Sequence, residues 1–115
     1  MTKEEKQLLL QDLCARLPYG VICRFSEPRF GEIIEPLKIG GLRNLIEEKW
    51  DVKPYLRPMS SMTEEEEEEL IKNFWGSHTA KDTFEELSWY LSKHLDINGL
   101  IPKGLAIEAS EGMYD

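Results

Sequence analysis

Leu9-Leu10-Gln11-Asp12-Leu13-Cys14-Ala15-Arg16-Leu17-Pro18-Tyr19-Gly20-Val21-Ile22-Cys23-Arg24-Phe25 changes its hydrophobic period partway along, and that change decides the fold class. Before Pro18, the residues Leu9, Leu10, Leu13, Cys14 and Leu17 recur on one face of a helix. Thr2 with Glu5 three residues later supplies a capping box, so the spacing predicts a helix over 3–17. Pro18 disfavours helix in the residue before it and Gly20 opens turn geometry. After Gly20 the period becomes two, with Val21, Cys23 and Phe25 on one side and Arg24 on the other, as in a half-buried strand. A helix running directly into a strand predicts an α+β fold.

Downstream, Ser26, Glu27, Pro28 and Gly31 form a turn into a second extended run, Glu32 to Ile39, in which Pro36 requires an edge or a bulge. Gly40-Gly41 reads as a hairpin turn. Leu42 to Trp50 fits a helical stripe and a strand equally. Val52 to Pro58 reads as extended, because prolines 54 and 58 steer Lys53 and Arg57 away from helix; Ser60-Ser61-Met62 reads as a linker. Thr63 with Glu66 makes a second capping box, opening a helix with an apolar stripe of Leu70, Ile71, Phe74 and Trp75 that Gly76 ends. Thr83 with Glu86 makes a third, and Phe84, Leu87, Leu91 and Leu95 share a face behind it. Asp96-Ile97-Asn98-Gly99 reads as a turn, and Leu105 to Ala109 as a final strand or a packed extended end. The expected architecture is a single domain, 1–115, of about three helices on a small antiparallel sheet, open or curled toward a barrel.

Charge divides the chain. Residues 1–62 carry 10 Lys/Arg against 9 Asp/Glu, whereas residues 63–115 carry 4 against 13, so the net −8 comes from the second half. That distribution bears on association rather than on fold. It argues against direct nucleic-acid binding, whose affinity comes largely from basic residues on phosphates. With 41% apolar and 10% aromatic residues the composition is that of a folding chain, and no apolar run approaches the ~20 residues that span a bilayer. Cys14 and Cys23 have no framework spacing and no secretory leader before them, so they are expected to be reduced, in a cytoplasmic protein.

Two segments stand out as candidate interaction surfaces. Glu64 to Glu69 begins as a complement to a helix dipole. Its five like-charge pairs three or four apart nonetheless cost about 1–2.5 kcal/mol, with Lys72 alone placed to relieve Glu68 and Glu69. The surplus suggests that Glu65, Glu67 and Glu68 face a basic partner surface. Pro54 to Pro58 presents Tyr55, Leu56 and Arg57, side chains frequent in interfaces, and is read either as a recognition strip or as an edge strand on its own core. Neither a cofactor nor a metal site is expected. His78, His94, Cys14 and Cys23 lack ligand spacing, and the Asp96 turn has Ile107 where a calcium loop needs glutamate. No nucleophile elbow or phosphate-binding glycine loop is present, and no catalytic residue stands out, although carboxylates such as Glu32 and Glu35 leave a hydrolase pair open.

The strings Asp12-Leu13-Cys14-Ala15-Arg16-Leu17-Pro18-Tyr19-Gly20-Val21, Val52-Lys53-Pro54-Tyr55-Leu56-Arg57-Pro58-Met59-Ser60-Ser61-Met62-Thr63, Gly99-Leu100-Ile101, Lys103-Gly104-Leu105-Ala106 and Glu111-Gly112-Met113-Tyr114 resemble a group of small uncharacterised proteins from gut anaerobic bacteria, their phages and mobile elements. The likeness covers both ends and the middle, but not 26–51 or 69–84. It implies a cytoplasmic bacterial or phage accessory protein and transfers no activity to any residue. The expected function is a non-enzymatic protein-interaction module acting through its acidic second half. The alternatives are a nucleic-acid mimic that inhibits a DNA-binding enzyme, which requires rows of exposed acids, and a small hydrolase with paired carboxylates, which requires a pocket and a raised carboxylate pKa. A structural homo-oligomer, marked by an exposed apolar edge, is a further possibility.

Overall fold

The computed structural model of the chain describes residues 1–74 and 79–115. The readings placed on Trp75, Gly76, Ser77 and His78 lie outside those residues. The described elements are α1 (Lys3–Arg16), β1 (Ile22–Glu27), β2 (Gly31–Pro36), α2 (Ile39–Ile46), β3 (Asp51–Leu56), α3 (Glu64–Phe74), α4 (Ala80–Ser92) and β4 (Ile107–Glu108), with short 3₁₀ turns at Leu17–Tyr19 and Met59–Ser61. The fold is α+β, with four helices and an open four-stranded sheet of order β2-β1-β3-β4. The sheet is mixed, because β4 runs parallel to β3 while the other pairings are antiparallel.

The period change at Pro18 is where it was expected. Thr2 caps α1 with its hydroxyl accepting the Glu5 N–H at 3.1 Å and the Glu5 carboxylate accepting the Thr2 N–H at 2.8 Å, which satisfies two of the donors left over at a helix start. Past the 3₁₀ turn, Gly20 takes a left-handed φ of 69° and the strand begins. Leu9 and Leu13 of α1 pack with Val21, Cys23, Phe25, Val52 and other apolar residues in one buried cluster. Burial holds the Cys23 thiol up at about 12, so it is an inert thiol within the core.

Between α1 and the loop after α4 lies a buried ion pair on that same helical face. Arg16 Nε donates to Asp12 Oδ1 at 2.5 Å, and Arg16 Nη2 donates to Asp12 Oδ2 at 3.2 Å and to the Leu95 carbonyl at 2.8 Å. Asn98 Nδ2 donates to Asp12 Oδ2 at 2.8 Å. Both charged side chains are fully buried. The turn that supplies these partners is held by Asp96, whose carboxylate accepts the Leu100 and Ile101 N–H groups at 2.8 and 3.0 Å.

Pro36 is at a sheet edge, as its missing N–H requires. Gly40-Gly41, expected to close a hairpin, lies instead in α2. The reason is steric: a Cβ on Gly41 would meet Phe25 Cε1 at 2.7 Å, so this glycine lets the helix approach β1 closely rather than turning the chain. Leu42 and Leu45 are the buried residues of α2, so the ambiguous segment is helix as far as Ile46 and turn over 47–50.

Candidate functional site

The Pro54–Pro58 strip is interior. β3 lies between β1 and β4 and is not an edge strand. Pro54 and Leu56 are fully buried, and Tyr55 is buried as well. Proline is tolerated in this internal strand because of ladder phase. Leu37 N–H bonds to the Val21 carbonyl at 2.8 Å, which turns the odd residues of β1 toward β2 and the even ones toward β3. The Cys23 and Pro54 pair is therefore a non-hydrogen-bonded one, and the missing N–H faces the side where β4 pairs only from Tyr55 onward. Of the three candidate residues here, Arg57 alone reaches the surface region, and it is engaged. Its guanidinium grips the Glu66 carboxylate with two bonds of 2.6 and 2.9 Å and also donates to the Lys93 and Ser61 carbonyls at 3.2 and 3.3 Å. This one side chain ties the end of β3 to the start of α3 and the end of α4.

Glu66 also closes the capping box of α3, accepting the Thr63 N–H at 3.0 Å while its own N–H donates to the Thr63 hydroxyl at 3.1 Å. Hydrogen bonds from Arg57 hold its carboxyl down at about 2. The glutamate run is thus relieved from outside the helix, by Arg57 at Glu66 and by Lys93 at 4.0 Å from Glu69. Both partners are distant in sequence, so local spacing could not find them.

A groove of about 710 Å³ opens beside this anchor, lined by Arg57, Glu66, Lys93, His94, Glu108 and Tyr114 among others. One wall is built by a contact invisible in the sequence. Beyond the Cys23–Pro54 pair, β1 and β3 are joined by the Tyr114 hydroxyl, which accepts the Ile22 N–H at 2.9 Å and donates to the Tyr55 carbonyl at 2.6 Å. The ring stacks on His94, with centroids 3.7 Å apart. His94 occupies the left-handed position that follows α4, at φ 61°, where glycine is the usual choice. The Leu95 N–H bonds back to Tyr90 and the His94 N–H to Leu91, a Schellman closure. Removing the hydroxyl in Tyr114→Phe leaves a strand N–H and a carbonyl without their partner, and is expected to cost about 1–3 kcal/mol. A urea midpoint equal to wild type would show that water replaces the phenol.

Burial pushes His94 down to about 4, with the Arg16 and Arg57 charges adding to the effect. Its stabilising contribution is therefore complete above its ordinary 6.5 and is lost as pH falls from there to about 4, because the unfolded chain takes up a proton that the folded one refuses. Glu66 acts lower, its contribution present above 4.5 and lost as pH falls through about 2. Unfolding free energy measured by urea titration should decline from pH 6.5 downward. His94→Gln should flatten the upper part of that slope and Glu66→Gln the lower; an unchanged slope in either variant would contradict the assignment.

Glu65, Glu67 and Glu68 are all exposed on α3. None of the residues of α3 is buried, and α4 buries Leu91 alone. The third helix cap is one turn earlier than expected: Thr79 is the cap, accepting the Asp82 N–H at 3.1 Å, and Thr83 lies inside the helix with its hydroxyl bonded to the Thr79 carbonyl. Capping at Thr79 rather than at Thr83 adds a turn to the helix. The α4 stripe is consequently split. Leu91 and Leu95 are in the interior, whereas Phe84 and Leu87 are 69% and 45% exposed, with Ile71 of α3 at 55%.

Other chemistries find little support. Glu32 and Glu35, three apart on a strand, project from opposite faces of the sheet and do not converge on one substrate. Glu5, Glu48 and Glu66 are each displaced downward, opposite to a general acid. Six consecutive glutamates at about 100° per residue surround α3 instead of forming a row of phosphate mimics. Among the described residues no cluster of His, Cys, Asp and Glu is placed to hold a metal, and no helix is long and apolar enough to cross a membrane.

The features above define an α+β domain that carries an acidic, incompletely covered helix pair. Comparison with protein-family models, with curated proteins and with solved structures finds no match to this chain.

Proposed function

We propose that this protein is a non-enzymatic interaction module, a cytoplasmic phage or mobile-element accessory protein, that engages a basic protein surface through α3 and α4. The observation that carries the reading is the interrupted stripe of α4. The same helical face that supplies Leu91 and Leu95 to the interior continues through Leu87 and Phe84 without a cover. Ile71 lies on the neighbouring helix, and Glu65, Glu67 and Glu68 stand exposed on that helix. An apolar strip beside free carboxylates suits a partner with an apolar groove rimmed by Lys and Arg: the strip supplies affinity and the charges supply orientation and encounter rate. The phage and mobile-element setting is carried by the sequence resemblance.

The test compares three tagged proteins in host lysate, washed at low and high salt: wild type, the triple variant Glu65→Gln/Glu67→Gln/Glu68→Gln, and Phe84→Ser. Wild type should retain a defined partner at low salt and release it at molar salt, where charge interactions are screened within a few ångströms. Both variants should capture at least tenfold less of it. Equal capture of the same proteins by all three would defeat the proposal.

A further inference from the structure

We infer that the free edge of β2 is a second docking site, which accepts an extended strand from another protein with the pattern basic-aliphatic-aliphatic-basic. All six residues of β2 are exposed, and β1 is its one neighbour in the sheet. The ladder phase set by Leu37 and Val21 turns residues 31, 33 and 35 toward β1. Glu32 and Ile34 therefore direct both N–H and C=O outward, and Pro36 directs a carbonyl outward without an N–H. Edge strands are ordinarily guarded by lysines, bulges, prolines or a covering element. Here the one proline stands at the strand's end, no basic residue occurs within the strand, and two adjacent isoleucines, 44% and 56% exposed, present apolar surface on either side of the sheet. Next to Ile33 is a groove of about 440 Å³ whose apolar lining is Phe25, Ile33 and Trp50, with Phe30 stacked on Trp50 at 6.2 Å. It has room for an aliphatic side chain of an added strand.

Charge and phase choose the occupant. An added strand lies beside β2 itself, whose charged residues are Glu32, 4.0 Å from Arg24 of β1, and Glu35, while Lys38 at the start of α2 and Arg43 within it line the far side of the groove. Residues directly opposite Glu32 and Glu35 are best basic, and those opposite Ile33 and Ile34 aliphatic. A second copy does not meet this pattern. Antiparallel pairing matches outward residues with outward residues, so a self-register sets Glu32 against Ile34 of the other copy, or Ile33 against Glu35, and brings together two chains of net charge −8.

The experiment titrates the intact protein with the capped peptide Thr-Lys-Val-Val-Lys-Thr up to millimolar concentration and follows amide hydrogen exchange by NMR. At 90% saturation the Glu32 and Ile34 amides should exchange about tenfold more slowly, since exchange then proceeds from the free tenth. Two control peptides, one with both lysines changed to glutamate and one N-methylated at the valine placed opposite Ile34, should give no slowing. In the protein, Ile34→Pro removes one outward N–H that the fold does not use, and should abolish the effect. Unchanged exchange at the two amides with the lysine peptide would overturn the inference, and so would equal slowing by the glutamate peptide. Slowing that depends on protein concentration alone would overturn it in favour of a second copy. None of these readouts involves α3 or α4, so failure here is distinct from failure of the interaction proposed above.

Discussion

Replacing Arg16 with methionine is expected to destabilise the protein by about 3–5 kcal/mol, the range for removing one partner of a buried ion pair. The loss is not that of a single contact. Without the guanidinium, the Asp12 carboxylate remains in a site with no solvent exposure, retaining Asn98 as its partner, and the Leu95 carbonyl is left with the Ile97 N–H as its donor. Desolvation of an unpaired carboxylate costs more than the pair contributed. Exchanging both residues for apolar ones of similar volume, Asp12→Leu with Arg16→Met, removes the charge altogether and should cost much less than the sum of the single changes. Urea unfolding of the four proteins forms a double-mutant cycle. Additive losses would show that the pair does not act as a unit. If the pair holds α1 against the loop after α4, the single variants should also expose the Leu100 amide to exchange, since Asp96 and Asn98 belong to that loop.

The second large effect is expected at Leu56. Leu56→Ala should cost about 2–5 kcal/mol, the span observed when a buried leucine is truncated and the surroundings close only partly around the gap. Leu56 has no exposure, lies in an internal strand and is paired on the β4 side, where its carbonyl accepts the Ala109 N–H at 2.8 Å. The truncation opens a gap in the buried apolar cluster that Leu56 shares with Leu9, Leu13 and Val52. The denaturant midpoint should fall with the slope unchanged. A loss below about 1 kcal/mol, with reduced partner capture, would return Leu56 to the surface role considered for the Pro54–Pro58 strip.

Different parts of the structure were legible to different degrees. The α1-to-β1 junction was plain because Thr2, Glu5, Pro18 and Gly20 act within a few residues of themselves, through hydrogen bonds and φ restrictions. Pro36 gave the edge strand for the same reason. The α3 capping box was readable, but the partner of its Glu66 was not, since Arg57 comes from another element. Asp12 and Arg16 did leave a trace: four apart, they lie on the helical face of Leu9 and Leu13, where a charge pair is out of place unless buried together. Nothing near Tyr114 signals that its hydroxyl would replace a rung of the sheet. Gly40-Gly41 was misread because a glycine that relieves a tertiary clash looks the same, in one dimension, as a glycine that turns the chain.

By itself, then, the sequence determined the elements whose causes are local: the capping boxes of α1 and α3, the break at Pro18 and Gly20, the alternation of β1, the α+β class and the acidity of the second half. Tertiary structure alone decided that β3 is internal, that Tyr55 and Leu56 are buried, that Arg57 holds Glu66, and that the α4 stripe is covered at Leu91 and bare at Phe84. The division follows from physics. Capping and backbone restriction act over three or four residues, whereas burial depends on which distant surface arrives, and two leucines on one helical face carry no mark of which will be covered.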